Sequence, residues 1–559
     1  MIQRQFSRIL IFFQNNYLII IILSIGILFR LISLSSHPSG FHNDEVSFFI
    51  NAQSILATGM DEDGNSIPLY LSSFIDTKPT LYSYLQIPFI KIFSNEILAS
   101  RMPAFIFGIV SLFILYLIVK DIINKKVATI FLLFLVISPW HIIVSRGTQE
   151  VIMSFTFQLL AIYSLLKITK YRKFTILYFV IFTTSILLSM YSYHSAKVFL
   201  PLFSIVILFL YLKREKKNIK YFFTIISVVI ISLFITINLG GVQRARTVNI
   251  FSDPGTQLIL NEQITTATNS TNPLLIRVFH NKVVNYSVLF TKQYMEYFSA
   301  DFLFFSGGEP KRYSVPFQGL FYLIQLPLLI IGSIVFFTKE KDKKCISFVI
   351  GWALISPLAG ALTIYEVPSI IRIFPLIVPL LIFLVYGLSY IFFMKSHIMR
   401  LSLLGIFIVG LVFNILFFMH TYFIQQPNYH PWYRNYAEQQ LANTIQNMES
   451  KYEKVMISGA GDIYIYFALN HLVSLQQLQE SKDSKRSENF SLGKYIFIRT
   501  GCVIGKEEGV LYVVQITCKR ILDNPEYISV GTVGYKDNAR VYELLEFNKS
   551  ERTQVIHSY

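Results

Sequence analysis

The chain alternates long runs of apolar residues with short polar connections. Most runs approach the length of roughly 20 residues that a helix needs to cross a bilayer. About eleven of them can be distinguished, at residues 12–35, 98–119, 127–143, 151–168, 174–191, 198–212, 221–239, 316–338, 346–364, 373–394 and 401–424. The first run is too long for a cleavable signal peptide, so we expect it to stay as a signal-anchor helix. The pattern predicts a polytopic, all-α membrane protein.

Basic residues divide the connections between these runs into two sets. Lysine and arginine cluster in the short connections near residues 120–126, 167–173, 213–220, 339–344 and 395–400. Short loops rich in these residues stay on the cytoplasmic side of a membrane. We therefore expect a cytoplasmic amino terminus and an extracytoplasmic carboxyl terminus. The long, irregular segments 36–97 and 240–315 fall on the extracytoplasmic side.

The pattern changes after the last apolar run. Residues 432–448 show the periodicity of an amphipathic helix, and short alternating runs such as 454–458 and 495–498 are typical of strands. We expect a transmembrane domain over 1–424, which includes both long outer segments, and a small extracytoplasmic α/β domain over 425–559. The small domain contains no glycine-rich phosphate loop, nucleophile elbow or HExxH motif, so we expect an accessory role for it.

Composition agrees with a membrane protein. The 559 residues are 53% hydrophobic and only 15% charged, and the mean hydropathy is +0.52, which is far too apolar for a soluble chain of this length. A net charge of +16 would suit a nucleic-acid-binding protein, but the basic residues lie between apolar runs rather than on one continuous face. The lipid bilayer, and no nucleic acid, is therefore the expected partner.

The three cysteines do not define a metal site. Cys345, Cys502 and Cys518 show neither a CxxC motif nor the Cys/His spacing of zinc ligands. Cys502 and Cys518 could pair if their region faces an oxidising compartment.

Two adjacent carboxylates, Asp44 and Glu45, follow the first apolar run. Acids in this position lie outside the hydrocarbon, where they keep their charge and can reach a lipid-borne substrate. Other ionisable groups recur at the outer ends of later runs, namely Arg146 and Glu150, His194 and Lys197, and Glu366 and Arg372. Loops that converge at one membrane face would bring cations for a lipid phosphate beside a carboxylate that accepts a hydroxyl proton.

Each of these groups also has a simpler explanation. An isolated Asp-Glu pair is most often a solvated part of a loop. A cation at a helix end often extends toward lipid headgroups, and Arg146 and Glu150, four residues apart, could pair on one helix face. A divalent cation, Mg²⁺ or Mn²⁺, held by Asp44 and Glu45 stays an open alternative, although no conventional ligand spacing supports it. No other cofactor is indicated.

Several short motifs together resemble one family of membrane enzymes. They are Phe41-His42-x-Asp44-Glu45-Val46, Lys78-Pro79, Ser100-Arg101-Met102-Pro103, Ser138-Pro139-Trp140-His141, Ser145-Arg146-x-x-x-Glu150 and Tyr193-His194-x-x-Lys197. Their order and their side of the membrane resemble bacterial glycosyltransferase family 39. This is a protein O-mannosyltransferase-like group with the glycosyltransferase-C membrane fold, related to the aminoarabinose transferases that modify lipid A. The resemblance covers about residues 10–400 and is strongest over 30–165.

The resemblance implies a hexosyl- or pentosyltransferase. It would move a sugar from a polyprenyl-phosphate donor to an extracytoplasmic acceptor, which is a protein, a lipid or a cell-envelope glycan. The family's first-loop aspartate acts as, or beside, the general base, which places that role on Asp44 with Glu45 as its neighbour. Glu150 stands where relatives often have a second acid, there an aspartate. The implied contacts to the carrier phosphate are Lys78, Arg146, Lys197 and Arg372, and those to other parts of the substrates are His42 and His194.

Two other classes of protein could have a similar number of spans. A transporter or lipid flippase usually carries ionisable residues or broken helices near the membrane midplane, often in two repeated halves. Here the runs are almost free of internal charge and no halves repeat, while acids gather outside. The third class is a non-catalytic assembly or polymer-binding protein that uses the outer domain. Loss of activity in a folded Asp44→Asn variant separates an enzyme from both.

Overall fold

The computed structural model describes most of the chain, in the ranges 2–74, 76–170, 176–212, 216–241, 248–267, 272–459, 461–536 and 539–548. Parts of the basic connections 167–173 and 213–220 lie outside these ranges. The chain divides into two compact units, each built from two segments. The first unit comprises Met1–Ile32 and Pro103–Thr421, and the second comprises Ser33–Met102 and Tyr422–Tyr559.

The first unit is helical. Its α-helices are Ile2–Leu31, Glu96–Ile122 (which begins in the second unit), Lys125–Ile137, Pro139–Val144, Glu150–Thr169, Ile176–Ser192, Ala196–Tyr211, Lys216–Thr236, Pro254–Ala267, Pro273–Phe279, Lys282–Glu296, Leu326–Lys339, Lys343–Ile355, Leu358–Ala361, Ile377–Phe392 and His397–His420. Each predicted apolar run contains a helix. The predicted run 127–143 is divided in two, because Ser138 precedes a proline and takes an extended conformation.

Six helices of the described residues are long and apolar enough to cross a membrane. They are Glu96–Ile122, Glu150–Thr169, Ile219–Leu239, Lys343–Ala361, Phe374–Phe392 and His397–Gln425. Shorter apolar helices lie at Tyr17–Leu31, Ile176–Ser192, Ala196–Tyr211 and Leu323–Lys339. The predicted class, a polytopic α-helical membrane protein, is confirmed. The number of crossings stays a prediction.

Close helix packing in the first unit depends on glycine. A side chain at Gly332 would collide with the backbone of Phe383, and one at Gly387 would collide with the backbone of Leu328. The helices Leu326–Lys339 and Ile377–Phe392 therefore approach each other with no side chain between them at these two points. Small residues serve this purpose widely in membrane helices, where van der Waals packing drives association.

The second unit combines helices with two sheets. Its α-helices are Asn43–Thr58, Leu81–Ile92, Tyr436–Met448, Tyr464–Leu469, Leu475–Glu480 and Lys519–Leu522, and its strands are β1 (Tyr70–Ser73), β2 (Asp76–Pro79), β3 (Lys454–Ser458), β4 (Asn489–Leu492), β5 (Tyr495–Ile498), β6 (Val510–Gln515), β7 (Tyr527–Gly534) and β8 (Arg540–Phe547). Strands β1 and β2 form an antiparallel hairpin. The larger sheet has the order β4-β5-β3-β6-β8-β7, in which β3 runs parallel to β5 and β6. The predicted small α/β domain is confirmed.

The division between the units differs from the one expected from the sequence. The outer segment 36–97 was expected to belong with the transmembrane helices, but it lies in one compact unit with the carboxyl-terminal residues. The reason is a shared core, in which Phe41 and Phe49 are buried in the same cluster as Leu441 and Ile445 of the amphipathic helix. That helix buries part of its apolar face against residues of the first outer segment.

The sequence left the pairing of two cysteines open. In the structure Cys502 and Cys518 form a disulfide bond, with their Cα atoms 5.7 Å apart. Cys345, in the first unit, is a buried free thiol.

Candidate active site

The helix Asn43–Thr58 begins with a capping arrangement that places both candidate acids in its first turn. His42 is the N-cap residue, and its Nδ1 accepts a hydrogen bond from the Asp44 amide at 3.1 Å. In return the Glu45 carboxylate accepts from the His42 amide at 3.3 Å. These bonds satisfy amide groups that a helix start leaves without partners, and negative side chains are favoured there. His42 thus fixes the start of the helix and, with it, the positions of the two acids.

The two acids point in different directions, because consecutive residues on a helix do not face the same side. The Asp44 side chain is 31% exposed, whereas the Glu45 side chain is only 2% exposed. Of the pair, Asp44 is therefore the one that an incoming substrate can reach.

Asp44 forms an ion pair with Lys78, which lies on β2. The Lys78 ammonium lies 5.5 Å and 5.4 Å from the ring centres of Phe48 and Phe74, so cation–π attraction also holds it in place. The imidazole Nδ1 of His42 lies 3.5 Å from the other carboxylate oxygen of Asp44. Three of the predicted site residues, His42, Asp44 and Lys78, therefore converge.

Glu45 lies between two arginines. Arg434 donates to its carboxylate at 2.5 Å, and Arg101 lies 3.5 Å from the same oxygen. Arg101 is completely buried and also donates to the carbonyl groups of Leu34, Pro38 and Gly40, each at 3.0 Å. The sequence motif around Arg101 could have indicated this contact, but no local pattern marked Arg434.

A second buried acidic group lies at the other end of the same helix. The carboxylate of Glu62 accepts a hydrogen bond from the side-chain amide of Asn51 at 3.1 Å. Burial raises the Glu62 pKa to about 6, although nearby Lys485 acts in the opposite direction. Lys485 also pairs with Asp63 at 2.9 Å, so these contacts join the turn after the helix to the carboxyl-terminal residues.

In the first unit, Arg146 stabilises the end of the first long helix. It is fully buried and donates to the carbonyl oxygens of Phe29 at 2.9 Å and Ile32 at 2.7 Å. These carbonyls lie at the carboxyl end of Ile2–Leu31, where an intrahelical partner is missing. Glu150 is the first residue of the next long helix, Glu150–Thr169.

Two further predicted groups of the first unit lie in polar clusters. Lys197 is in the first turn of Ala196–Tyr211, and its ammonium lies 3.4 Å from Nδ1 of His194. Arg372 contacts the Glu366 carboxylate at 3.5 Å and donates to the Thr363 hydroxyl at 2.9 Å. The predicted residues thus fall into two groups, His42, Asp44, Glu45 and Lys78 in the second unit and Arg146, Glu150, His194, Lys197 and Arg372 in the first.

The surroundings of Asp44 and Glu45 do not suit a divalent cation. Among the described residues, no group of three or more His, Cys, Asp or Glu side chains is arranged to hold a metal ion. The partners of the two carboxylates include Lys78, Arg101 and Arg434, whose positive charge would repel a metal.

Comparison with known proteins relates part of the chain to a family. Residues 77–237 match the family model described as dolichyl-phosphate-mannose-protein mannosyltransferase. This segment contains Lys78, Arg146, Glu150, His194 and Lys197. No curated protein matches the chain in sequence.

Solved structures of membrane enzymes share the fold over nearly the whole chain. ArnT from Cupriavidus metallidurans in the apo state is 9% identical, with a TM-score of 0.52 over 95% of this chain and 98% of that one. The same enzyme bound to undecaprenyl phosphate is 10% identical, with a TM-score of 0.51 and the same coverage. The apo oligosaccharyltransferase of Archaeoglobus fulgidus is 12% identical, with a TM-score of 0.50 over 94% of this chain and 75% of that one. The predicted resemblance to membrane glycosyltransferases is confirmed, and the chain has the glycosyltransferase-C fold of these solved structures.

Proposed function

We propose that the protein transfers a sugar from a polyprenyl-phosphate donor to a hydroxyl group of an extracytoplasmic acceptor, with Asp44 as the general base. The observation that carries this proposal is the position of Asp44, a half-buried carboxylate at a capped helix start with Lys78 as its partner. The donor class is supported by the description of the matching family and by the undecaprenyl phosphate bound to ArnT.

The residues supply the base and the cations that such a reaction needs. The acceptor oxygen attacks the anomeric carbon of the sugar while Asp44 takes the hydroxyl proton, and the bond from that carbon to the phosphate oxygen breaks. The polyprenyl phosphate leaves with the bonding electrons, so cations near it lower the barrier. A single displacement of this kind inverts the anomeric configuration and requires no enzyme nucleophile.

Lys78 is suited to act on both the base and the carrier phosphate. Its ammonium pairs with Asp44, and its side chain is 8% exposed, so the ion pair holds the carboxylate in one position. We propose that Lys78 also contacts the carrier phosphate. Phosphate contacts of Arg146, Lys197 and Arg372, which lie in the first unit, stay predictions. We assign His42 and His194 to contacts with other parts of the substrates.

The function can be tested by measuring release of the carrier. Purified protein in detergent is mixed with a series of polyprenyl-phosphate sugars, hexoses and pentoses, and with a cell-envelope fraction that supplies protein, lipid and glycan acceptors. We expect one donor to yield free polyprenyl phosphate and an equal amount of labelled acceptor. If folded protein cleaves no donor in the series, the proposal is wrong.

We also propose that the amino terminus is cytoplasmic and that the carboxyl-terminal domain is extracytoplasmic. The basic connections support this orientation, and so does the Cys502–Cys518 disulfide, because disulfides persist in oxidising compartments. A tag inserted in the loop 213–220 should be protected in intact cells, and a tag inserted after residue 450 should be accessible. Two tags on the same side would contradict this topology.

A further inference from the structure

One arginine of the carboxyl-terminal segment spans the turn that carries Asp44. We refer to residues 39–45 as the Asp44 turn. The Arg434 Nε donates to the carbonyl of Ser39 at 2.8 Å, and its Nη2 donates to the Glu45 carboxylate at 2.5 Å. A longer contact of 3.5 Å joins it to the Gly40 carbonyl. A single planar guanidinium thus connects the two ends of the turn.

Two further side chains of the same segment hold the middle of the turn. The Tyr466 hydroxyl, which is buried, donates to the carbonyl of Phe41 at 2.8 Å. The side-chain oxygen of Asn435 accepts from the Asn43 amide at 3.3 Å. Contacts from Arg434, Asn435 and Tyr466 therefore lie on both sides of Asp44 along the chain.

The backbone of the turn approaches the same segment closely. Gly40 has a φ of +77°, and an added Cβ would lie 2.7 Å from the carbonyl oxygen of Arg434. Such a distance leaves no room for a side chain, and the φ value independently favours glycine. Phe41, the next residue, is fully buried in the core that includes Ala437 and Leu441. Polar and apolar contacts thus fix the turn to the residues after 430.

We propose that Arg434, Asn435 and Tyr466 are positioning residues for the transfer reaction, so that the carboxyl-terminal domain completes the catalytic site instead of having only an accessory role. This inference rests on the proposed function, since it takes Asp44 as the base. A base must lie within hydrogen-bond reach of the proton that it removes. The three side chains act through the Asp44 turn and do not touch the substrate.

The contacts suit a positioning role better than a purely stabilising one. A buried arginine–glutamate pair adds little net stability compared with apolar residues of the same volume, because both charges lose their hydration. Such a pair does fix geometry, since each bond has a direction. Here Arg434 joins Glu45, the residue after Asp44, to Ser39, the first residue of the turn. It therefore sets the orientation of the first helical turn.

The test compares Arg434→Gln and Tyr466→Phe with matched controls in the full-length protein. Arg499→Gln is the control for the arginine, because Arg499 also binds a carboxylate, that of Asp462, and two backbone carbonyls. Tyr512→Phe is the control for the tyrosine, because Tyr512 is equally buried and accepts from the Glu507 amide. Three quantities are measured for each variant, namely hydrogen–deuterium exchange of the peptide covering residues 39–50, the donor kcat and the donor KM.

A positioning role predicts a specific pattern. In Arg434→Gln, exchange in the Asp44 turn becomes faster and kcat falls about 10- to 100-fold, as displacement of a catalytic group by about 1 Å can cause, while the donor KM changes less than about twofold. In Tyr466→Phe, which removes one oxygen and keeps the ring, the same changes occur with a kcat loss of about 3- to 10-fold. The controls leave exchange at 39–50 and kcat near the wild-type values.

Three results would overturn the inference. One is unchanged exchange in the Asp44 turn, another is a rise in KM at constant kcat, and the third is an equal loss of kcat in the controls. If Arg434→Gln does not fold, Tyr466→Phe decides. Failure of the proposed function is read separately, from the activity of Asp44→Asn, whereas the exchange data report on the turn whether or not Asp44 is the base.

Discussion

Asp44→Asn is expected to remove nearly all transfer activity, with a rate lower by about 10²- to 10⁴-fold, while the protein still inserts into the membrane and binds the donor. Asparagine has almost the same shape as aspartate, but its amide cannot accept the proton of the acceptor hydroxyl. The variant also leaves Lys78 without the charge of its partner, which should cost about 1 kcal/mol of stability. Initial rates at matched expression, together with thermal unfolding, separate the two effects.

A matched control for this variant lies in the first unit. Asp121 forms an ion pair with Lys167 at 2.5 Å, and both side chains are 16% exposed. Asp121→Asn therefore removes a comparable ion pair in the first unit, within the basic connection 120–126, and should leave turnover near normal. The activity of Glu150→Gln should lie between those of Asp44→Asn and Asp121→Asn, because Glu150 stands where relatives often have an aspartate. If Asp44→Asn keeps more than about a tenth of wild-type activity, the base must be assigned elsewhere, and Glu150 becomes the first candidate.

Glu45→Gln is expected to lower the free energy of unfolding by about 3–5 kcal/mol, because it leaves two buried guanidinium groups facing a neutral amide. The Glu45, Arg101 and Arg434 side chains are 2%, 0% and 6% exposed, so water cannot replace the lost charge. Thermal or denaturant unfolding of the purified variant provides the measurement.

The control for this variant is an exposed acid of the same unit. Glu507 pairs with Lys454 at 3.3 Å, and the two side chains are 62% and 53% exposed. Glu507→Gln should change stability by less than about 1 kcal/mol, as solvent-exposed ion pairs usually do. A Glu45→Gln variant as stable as this control would show that the two arginines do not depend on the Glu45 charge.

The membrane helices could be predicted because their signal is local. Long apolar runs have few alternatives to a spanning helix, since a bilayer offers no partners for free backbone groups. The break at Ser138 also had a local cause, the proline that follows it. Asp44 could be selected for similar reasons, as an acid in a recognisable motif just outside the first run.

The contacts around Asp44 could not be predicted in the same way. Glu45 and Arg434 are 389 positions apart, and nothing in the sequence near either residue indicates the other. Lys78 was predicted as a phosphate ligand, but its pairing with Asp44 depends on how the β1–β2 hairpin and the helix Asn43–Thr58 fold together. The different exposure of Asp44 and Glu45 follows from a helix start at Asn43, and sequence patterns do not predict a helix boundary that sharply.

Sugar transfer is tested most directly by following one round of reaction in reconstituted vesicles. Protein loaded with a polyprenyl-phosphate sugar labelled in both sugar and lipid receives the acceptor fraction, and the reaction is stopped at short times. We expect free carrier phosphate and glycosylated acceptor to appear together in equal amounts in the wild type, whereas in Asp44→Asn the donor stays bound and intact. Movement of intact donor across the vesicle membrane without cleavage would contradict sugar transfer and identify a transporter.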